Sequence, residues 1–243
     1  MNQYEKIKGL LIDVDDTLTR CKLTGEKAGA SVQNSASLFG VLQQAGVELA
    51  GLSPEEVTTR IEQVKQDVHW WHWADFILAL GLQPKTFWNY AYDIESHYLE
   101  VTGPEVEGAL RQLHECGYYL FITSNNPNDG ILHKLRLAGL AHNNSACLFD
   151  HLFDVAGFQS MKWDRIYWQR VQASLALDPD ELTVVGDNIH DDYALPHAAG
   201  IGHSFIINRS DDLSAQNTDS VTFVQNFAQI ANLLVQSKVL SLR

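Results

Sequence analysis

The sequence predicts an α/β fold: a parallel sheet with helices on both faces, interrupted by an inserted, mainly helical subdomain. Three observations carry this prediction. Short apolar runs end abruptly in polar residues at four widely separated places. Helical patterns lie between those runs, and strand alternating with helix builds a parallel sheet with right-handed crossovers. One stretch, from about Cys21 to Gly103, breaks the alternation and shows helical patterns without a clear strand run. A chain of 243 residues accommodates a large domain with a substantial insert, at roughly 150 residues per domain.

The elements follow in order. Leu10–Val14 reads as the first strand and leads into Asp15-Asp16-Thr17. In the insert, helices are expected at Ser35–Ala45, Pro54–Val68, Trp70–Leu80 and Pro84–Leu99. Ser53-Pro54 makes a good N-cap and first-turn pair. Pro104 suits the first turn of a helix through Gly108–Glu115, with Gly117 as its C-terminal cap. Strand Tyr118–Thr123 leads into Ser124-Asn125-Asn126, and a helix from about Asp129 to Ala138 stops at Gly139. A helix over Trp163–Leu175 precedes a turn at Asp178-Pro179. Strand Leu182–Val185 then leads into Gly186-Asp187-Asn188, and Phe205–Ile207 into Asn208-Arg209. Asn226–Val235 reads as a closing amphipathic helix. The strand runs are rich in Ile, Val, Leu and aromatics, as in strands buried on both faces. Polar residues just beyond their ends lie where such sheets place ligand sites.

Composition narrows the function. Hydrophobic residues make up 45% and charged residues 19% of the chain, an ordinary globular balance. Seventeen Lys and Arg stand against 30 Asp and Glu, for a net charge of −13. That field repels a phosphate backbone, so nucleic acid is not an expected partner. Cys21, Cys116 and Cys147 are widely spaced and form no C-x-x-C pair, which fits small hydrophobes in a reducing compartment. With no leader-like segment and no long apolar run, a cytoplasmic protein without membrane contact is expected.

Four strings carry chemistry. In Ile12-Asp13-Val14-Asp15-Asp16-Thr17, three carboxylates in four positions follow a strand. They repel one another unless a cation or hydrogen bonds neutralise them. Asp13 and Asp15 are two apart, so an extended backbone aims both to one side, an arrangement suited to hard Mg²⁺. A solvated acidic turn with Thr17 as a local cap is the plainer alternative. In Thr123-Ser124-Asn125-Asn126, a hydroxyl and an amide can donate to a phosphate oxygen, or form an ordinary turn. Lys162, opening the Trp163 helix, is placed to hold a carboxylate and a phosphoryl group together, although most lone lysines are solvated. In Gly186-Asp187-Asn188-Ile189-His190-Asp191-Asp192, Gly186 allows a tight exit and Asp187 can face a metal. One of Asp191 and Asp192 is expected to cap the next helix, and His190 to face solvent.

In this order the four strings resemble the haloacid dehalogenase (HAD) superfamily. Asp13-x-Asp15-x-Thr17 is similar to its first motif, Ser124 to the second, Lys162 to the third, and Gly186-Asp187 with Asp192 to the fourth. The resemblance implies a Rossmann-like core over 1–20 and 104–243, with 21–103 as a helical C1-type cap. It implies that Asp13 is the nucleophile, forming an aspartyl phosphate, and that Asp15 is the general acid/base. Asp13, the Asp15 carbonyl, Asp187 and Asp192 would hold Mg²⁺; Asp192 fits the family spacing better than Asp191. Thr17, Ser124, Asn125 and Lys162 would bind the phosphoryl group, Lys162 balancing its charge. Family dehalogenases lack a carboxylate at position 15. The implied activity is therefore hydrolysis of a phosphate monoester of a small metabolite. A phosphomutase of the β-phosphoglucomutase type and a non-enzymatic binding module are the rivals. Trp163 following Lys162 departs from the usual Lys-Pro of the third motif.

The cap should set the substrate, which the sequence leaves open, as it does the oligomeric state. Four of the six Trp residues lie there, at 70, 71, 73 and 88. Their helical spacing favours packing in the cap's own core over a stacking platform for a ring. His69, His72 and His97 carry no assignment.

Overall fold

The computed structural model describes residues 4–21, 38–67, 72–97, 99–101, 105–141, 148–209 and 216–241. The chain divides into two compact units, Met1–Thr19 with Val101–Arg243, and Arg20–Glu100. Strands are β1 (Gly9–Ile12), β2 (Thr19–Cys21), β3 (Leu99–Val101), β4 (Tyr119–Thr123), β5 (His151–Phe153), β6 (Leu182–Gly186), β7 (His203–Ile207) and β8 (Val221–Val224). Helices are α1 (Leu38–Glu48), α2 (Pro54–Asp67), α3 (Trp73–Ala79), α4 (Pro84–Ser96), α5 (Val106–Glu115), α6 (Asn128–Leu137), α7 (Val155–Phe158), α8 (Arg165–Ala173), α9 (Leu195–Ala199) and α10 (Phe227–Ser241). None among the described residues is long and apolar enough to cross a membrane.

The first unit is a six-stranded parallel sheet in the order β5-β4-β1-β6-β7-β8. From β1 the chain runs to β4 and β5 on one side, and afterwards to β6, β7 and β8 on the other. Strand order therefore reverses at β1, and a crevice forms beyond the carboxyl ends of such neighbours. Alternation along β1 sends Leu10 and Ile12 to one face and Leu11 to the other. Leu10 and Ile12 pack with Leu120, Ile122, Val185 and residues of α5, α6 and α10. Leu11 packs with Phe121, Val184 and the α8 side chains Tyr167, Trp168 and Val171. Both faces are thus covered, an α/β Rossmann-like core. Gly117 and Gly139 take positive φ (79° and 74°) and end α5 and α6 as left-handed caps.

The second unit has its own core, built from Val41, Leu42 and Ala45 of α1, Val57 and Ile61 of α2, Trp73, Phe76 and Ile77 of α3, and Phe87 and Ala91 of α4. Trp73 is buried in it and Trp88 packs against it. Phe39 lies 4.7 Å from the Trp73 ring, centroid to centroid. Both rings therefore fill the helical core. His72 pairs with Asp75 at 3.3 Å, and the exposed His97 contacts Ser96.

Several elements differ from the sequence reading. Strand β1 ends at Ile12, so Asp13 and Val14 leave the sheet earlier than expected. Helix α4 stops at Ser96, and Leu99 lies in β3, which pairs with β2 in a separate two-stranded sheet. Three-residue strands carry too few positions to show a period. Strands β5 and β8 were not expected; both are edge strands, where burial on two faces is incomplete. Helix α1 continues to Glu48 and α10 to Ser241. Ser35, Val68, His69, Trp70, Trp71, Gly103, Pro104 and Cys147 lie outside the described residues.

Candidate active site

The site assembles at the carboxyl ends of β4, β1 and β6. Past the end of β1, the Asp13 amide still donates to the Val185 carbonyl at 2.8 Å, so the residue stays locked to β6. The carbonyl of Val14 accepts from the amides of Leu18 and Thr19 and from the Thr19 hydroxyl. This closes a tight loop. Within it Asp16 sits at φ 53°, a left-handed conformation uncommon outside glycine. Thr17 is fully buried in the same loop, and its carbonyl accepts from Arg209 Nη2 at 3.3 Å.

After β4, the Ser124 amide donates to the Phe153 carbonyl and to the Tyr167 hydroxyl, which itself donates to Phe153. Ser124 Oγ accepts from the Asn126 amide and from its Nδ2. Asn125 Oδ1 accepts from the Lys162 amide at 2.8 Å, tying the third string to the second.

Lys162 is 2% exposed, so the expectation for an ordinary lone lysine does not apply to it. Its ammonium lies 2.5 Å from Asp13 Oδ1 and 2.6 Å from Asp192 Oδ1. Its carbonyl accepts from the Trp168 indole, and Asp164 caps α8 directly after it. A lysine in such surroundings is stable only because both carboxylates are there.

Beyond β6, a β-carbon on Gly186 would overlap the Asp192 carboxylate. Glycine there lets Asp192 reach back across the strand end from a single π-helical turn, His190–Ala194. Asp192 Oδ2 accepts from the Asn188 amide at 3.1 Å. Just ahead of this turn, Asn188 Oδ1 accepts from the amides of His190 and Asp191. Neither Asp191 nor Asp192 caps it, contrary to expectation, because Asp192 points inward to Lys162 and Asp191 pairs with the exposed His190 at 2.7 Å.

Carboxylate oxygens of Asp13, Asp187 and Asp192 come within 4.8 Å of one another. The Asp15 carboxylate goes elsewhere: Oδ1 meets Lys134 Nζ at 2.6 Å and Oδ2 accepts from Asn126 Nδ2 at 2.7 Å. Asp13 and Asp15 therefore do not present both side chains to one cation, since the strand alternation behind that expectation ends at Ile12. The two carboxyls are also pushed in opposite directions. Burial, with Asp192, Asp15 and Asp187 nearby, raises Asp13 well above the usual carboxylate range, against the pull of Lys162. Burial alone would raise Asp15, but Lys134 and Asn126 outweigh it and hold Asp15 below that range. Burial and the neighbouring Asp192 and Asp16 push Asp187 up to about 7. For Lys162, burial pulls down, and Asp13 and Asp192 more than restore it.

The sequence reading gave Asn126 and Lys134 no role in the site and did not single out Tyr167. Lys134 left one signal: it follows Ile131 by three residues and precedes Ala138 by four, on the buried stripe of α6. A cation on an apolar stripe needs a partner from elsewhere in the fold.

Four carboxylates, at 13, 15, 187 and 192, face two buried ammonium groups. Ionised together, the four would leave two negative charges over, and that surplus with the all-oxygen donor set fits a hard divalent cation rather than a softer metal.

Comparison with known proteins agrees with this architecture. Residues 7–200 match the family model for a haloacid dehalogenase-like hydrolase. A phosphoglycolate phosphatase of Vibrio vulnificus (strain YJ016) is 26% identical over 163 residues, 65% of this chain and 67% of that protein. The crystal structure of a HAD phosphatase from Thermococcus onnurineus superposes with a TM-score of 0.63 at 20% identity, over 94% of this chain and 98% of that one. A 2-haloacid dehalogenase from Pseudomonas syringae pv. Tomato DC3000 gives 0.62 at 20% identity, over 95% and 99%. The two structures share the fold alone at that identity, but the family match spans every carboxylate and lysine of the cluster. The chain belongs to the haloacid dehalogenase-like hydrolase family.

Proposed function

We propose that this hydrolase is a cytoplasmic, Mg²⁺-dependent phosphatase that cleaves a phosphate monoester of a small metabolite through an aspartyl phosphate on Asp13. The observation that carries the reading is the division of the two aspartates. Asp13 is held by Lys162 and Asp15 by Lys134 and Asn126. One carboxyl thereby joins the Asp187 and Asp192 cluster, while the other stands apart from it with its side chain 45% exposed, where it can exchange a proton with a leaving group or water. A dehalogenase has no leaving alkoxide to protonate and no use for the second group, so Asp15 favours the phosphatase over that relative.

On this reading Asp13 attacks phosphorus as the carboxylate and the bond to the ester oxygen breaks, the leaving oxygen taking the proton of Asp15, which enters this step protonated. Asp15 then takes a proton from water as that water attacks phosphorus. The bond to Asp13 breaks and phosphate leaves. The Asp13 carboxylate, the Asp15 carbonyl and Asp187, with Asp192 beside them, would hold Mg²⁺, which would supply charge stabilisation to the transferring group. Lys162 neutralises Asp13 and the phosphoryl oxygens, and Thr17, Ser124 and Asn125 orient those oxygens. Residues 21–103 act as the cap that selects the substrate. The Vibrio relative makes phosphoglycolate the first compound to try.

The test is phosphate release from phosphoglycolate, sugar phosphates and nucleotides, with Mg²⁺ and with EDTA. Release is expected only with Mg²⁺, and Asp13→Asn should lower it by about 10³-fold or more. Substantial turnover in that variant would remove Asp13 as nucleophile. Phosphate returned to the sugar without release would favour the mutase.

A further inference from the structure

We infer that Lys134 is a positioning residue for hydrolysis of the phosphoenzyme: with Asn126 it fixes the Asp15 carboxylate toward the attacking water. The inference rests on the phosphatase reading and names a part that none of the four strings contains. Lys134 projects from α6, between Ile131 and Leu135 of the sheet-covering core. Its side chain is 5% exposed, whereas that of Asp15 is 45% exposed. A buried ammonium is strongly unfavourable unless paired, and an apolar residue would pack the same stripe without that penalty. The fold nevertheless puts the charge there and directs it at a carboxylate open to the crevice.

The geometry gives the charge a task. Lys134 Nζ takes Asp15 Oδ1 at 2.6 Å, and Asn126 Nδ2 takes Oδ2 at 2.7 Å. Asn126 is itself held by Ser124 Oγ at 2.9 Å. Asp15 thus has one donor on each oxygen, one from α6 and one from the β4 turn, and its carboxylate plane cannot rotate freely. The backbone beside it is equally constrained by the positive φ of Asp16. Lys162 serves Asp13 and Asp192, so the two lysines divide the carboxylates between them. A group that abstracts a proton must be aligned before reaction, and misalignment of about 1 Å costs roughly 10²-fold.

Lys134→Met keeps the length and apolar stem but removes the charge. With 4-nitrophenyl phosphate and Mg²⁺, the first step needs no proton for its leaving group, whereas the second still needs Asp15. The variant should lower kcat about 10- to 100-fold and lower KM with it, leaving kcat/KM within about twofold of the wild type, because kcat/KM reports only the first step. Stopped-flow traces should show a nitrophenolate burst approaching one per folded enzyme as the aspartyl phosphate accumulates. A merely structural role would lower burst and steady rate together, in proportion to the folded fraction. Wild-type kcat, or a loss without a burst, overturns the inference. Should the Met variant not fold, Lys134→Ala, which also removes the donor and leaves room for water, is read by the same two criteria. Absence of phosphate release by the wild-type enzyme would instead overturn the phosphatase reading.

Discussion

A β-carbon at Gly186 would occupy the space of the Asp192 carboxylate, whereas one at the exposed Gly108 of α5 would meet nothing within 4 Å. The same substitution should therefore have opposite signs. Gly186→Ala should destabilise by about 1–3 kcal/mol through overpacking. Gly108→Ala should stabilise by roughly 0.5–1 kcal/mol, because it relieves a helix of glycine's entropy. Urea denaturation of both checks the pair, and equal effects would mean that Asp192 does not cross the strand end. Lys162→Met strips the cation from two buried carboxylates and should cost about 3–5 kcal/mol without metal. Added Mg²⁺ should recover part of that loss in the same titration. At this scale the motif residues were legible because each stands in a local string at a strand end or helix start, and the strings follow one another in an order that resembles one family: Asp13, Asp187, Asp192 and Lys162 are brought into one cluster. Lys134 and Asn126 were not, since their partner Asp15 is 119 and 111 positions away and no local pattern records the meeting.

The strands divide by place in the sheet. Strands β1, β4, β6 and β7 are central, and continuous apolar runs betray them; β5 and β8 lie at the edges, where an exposed His151 or a half-buried Phe223 breaks the run. Between β6, β7 and β8 the sheet also buries a polar group. The His203 ring joins Thr183 through Nδ1 and Thr222 through Nε2, both at 3.0 Å, and Tyr4 bonds Thr222 in turn. Burial lowers the His203 pKa to about 4. The unfolded chain then binds the proton more readily than the fold, so stability rises with pH across this window. The contribution is complete above about 6.5 and is lost as pH falls toward 4, amounting to roughly 3 kcal/mol. His203→Gln should flatten the acid limb of stability between those values, measured by urea midpoints. An unchanged slope would assign the acid loss to the carboxylates instead.

At the scale of the whole molecule, a net charge of −13 and a cluster of carboxylates at one crevice act in the same direction. Each disfavours the folded state without a counter-ion, because like charges are brought together there and dispersed in the unfolded chain. A divalent cation that binds only the fold reverses this by mass action, by about 2.7 kcal/mol at a concentration 100 times Kd. For a chain of this length that corresponds to a rise of roughly 5–10 °C in Tm. Na⁺ at matched ionic strength screens the general field but cannot bridge Asp13 and Asp187. The Mg²⁺ shift should therefore exceed the salt shift, disappear with EDTA and shrink in Asp187→Ala. Its pH dependence follows from Asp187, raised to about 7 in the metal-free fold. In metal-free protein that raised value contributes stability at low pH, fully present below the unfolded value of 3.8 and lost as pH rises through about 7. Mg²⁺ must displace the proton, so its effect on Tm should grow between pH 6 and 8, values taken about a unit either side of that pKa. Thermal melts at those two pH values, with and without Mg²⁺, decide it. Equal shifts at both would separate the metal from Asp187, and a salt-sized shift would leave the cluster without its cation.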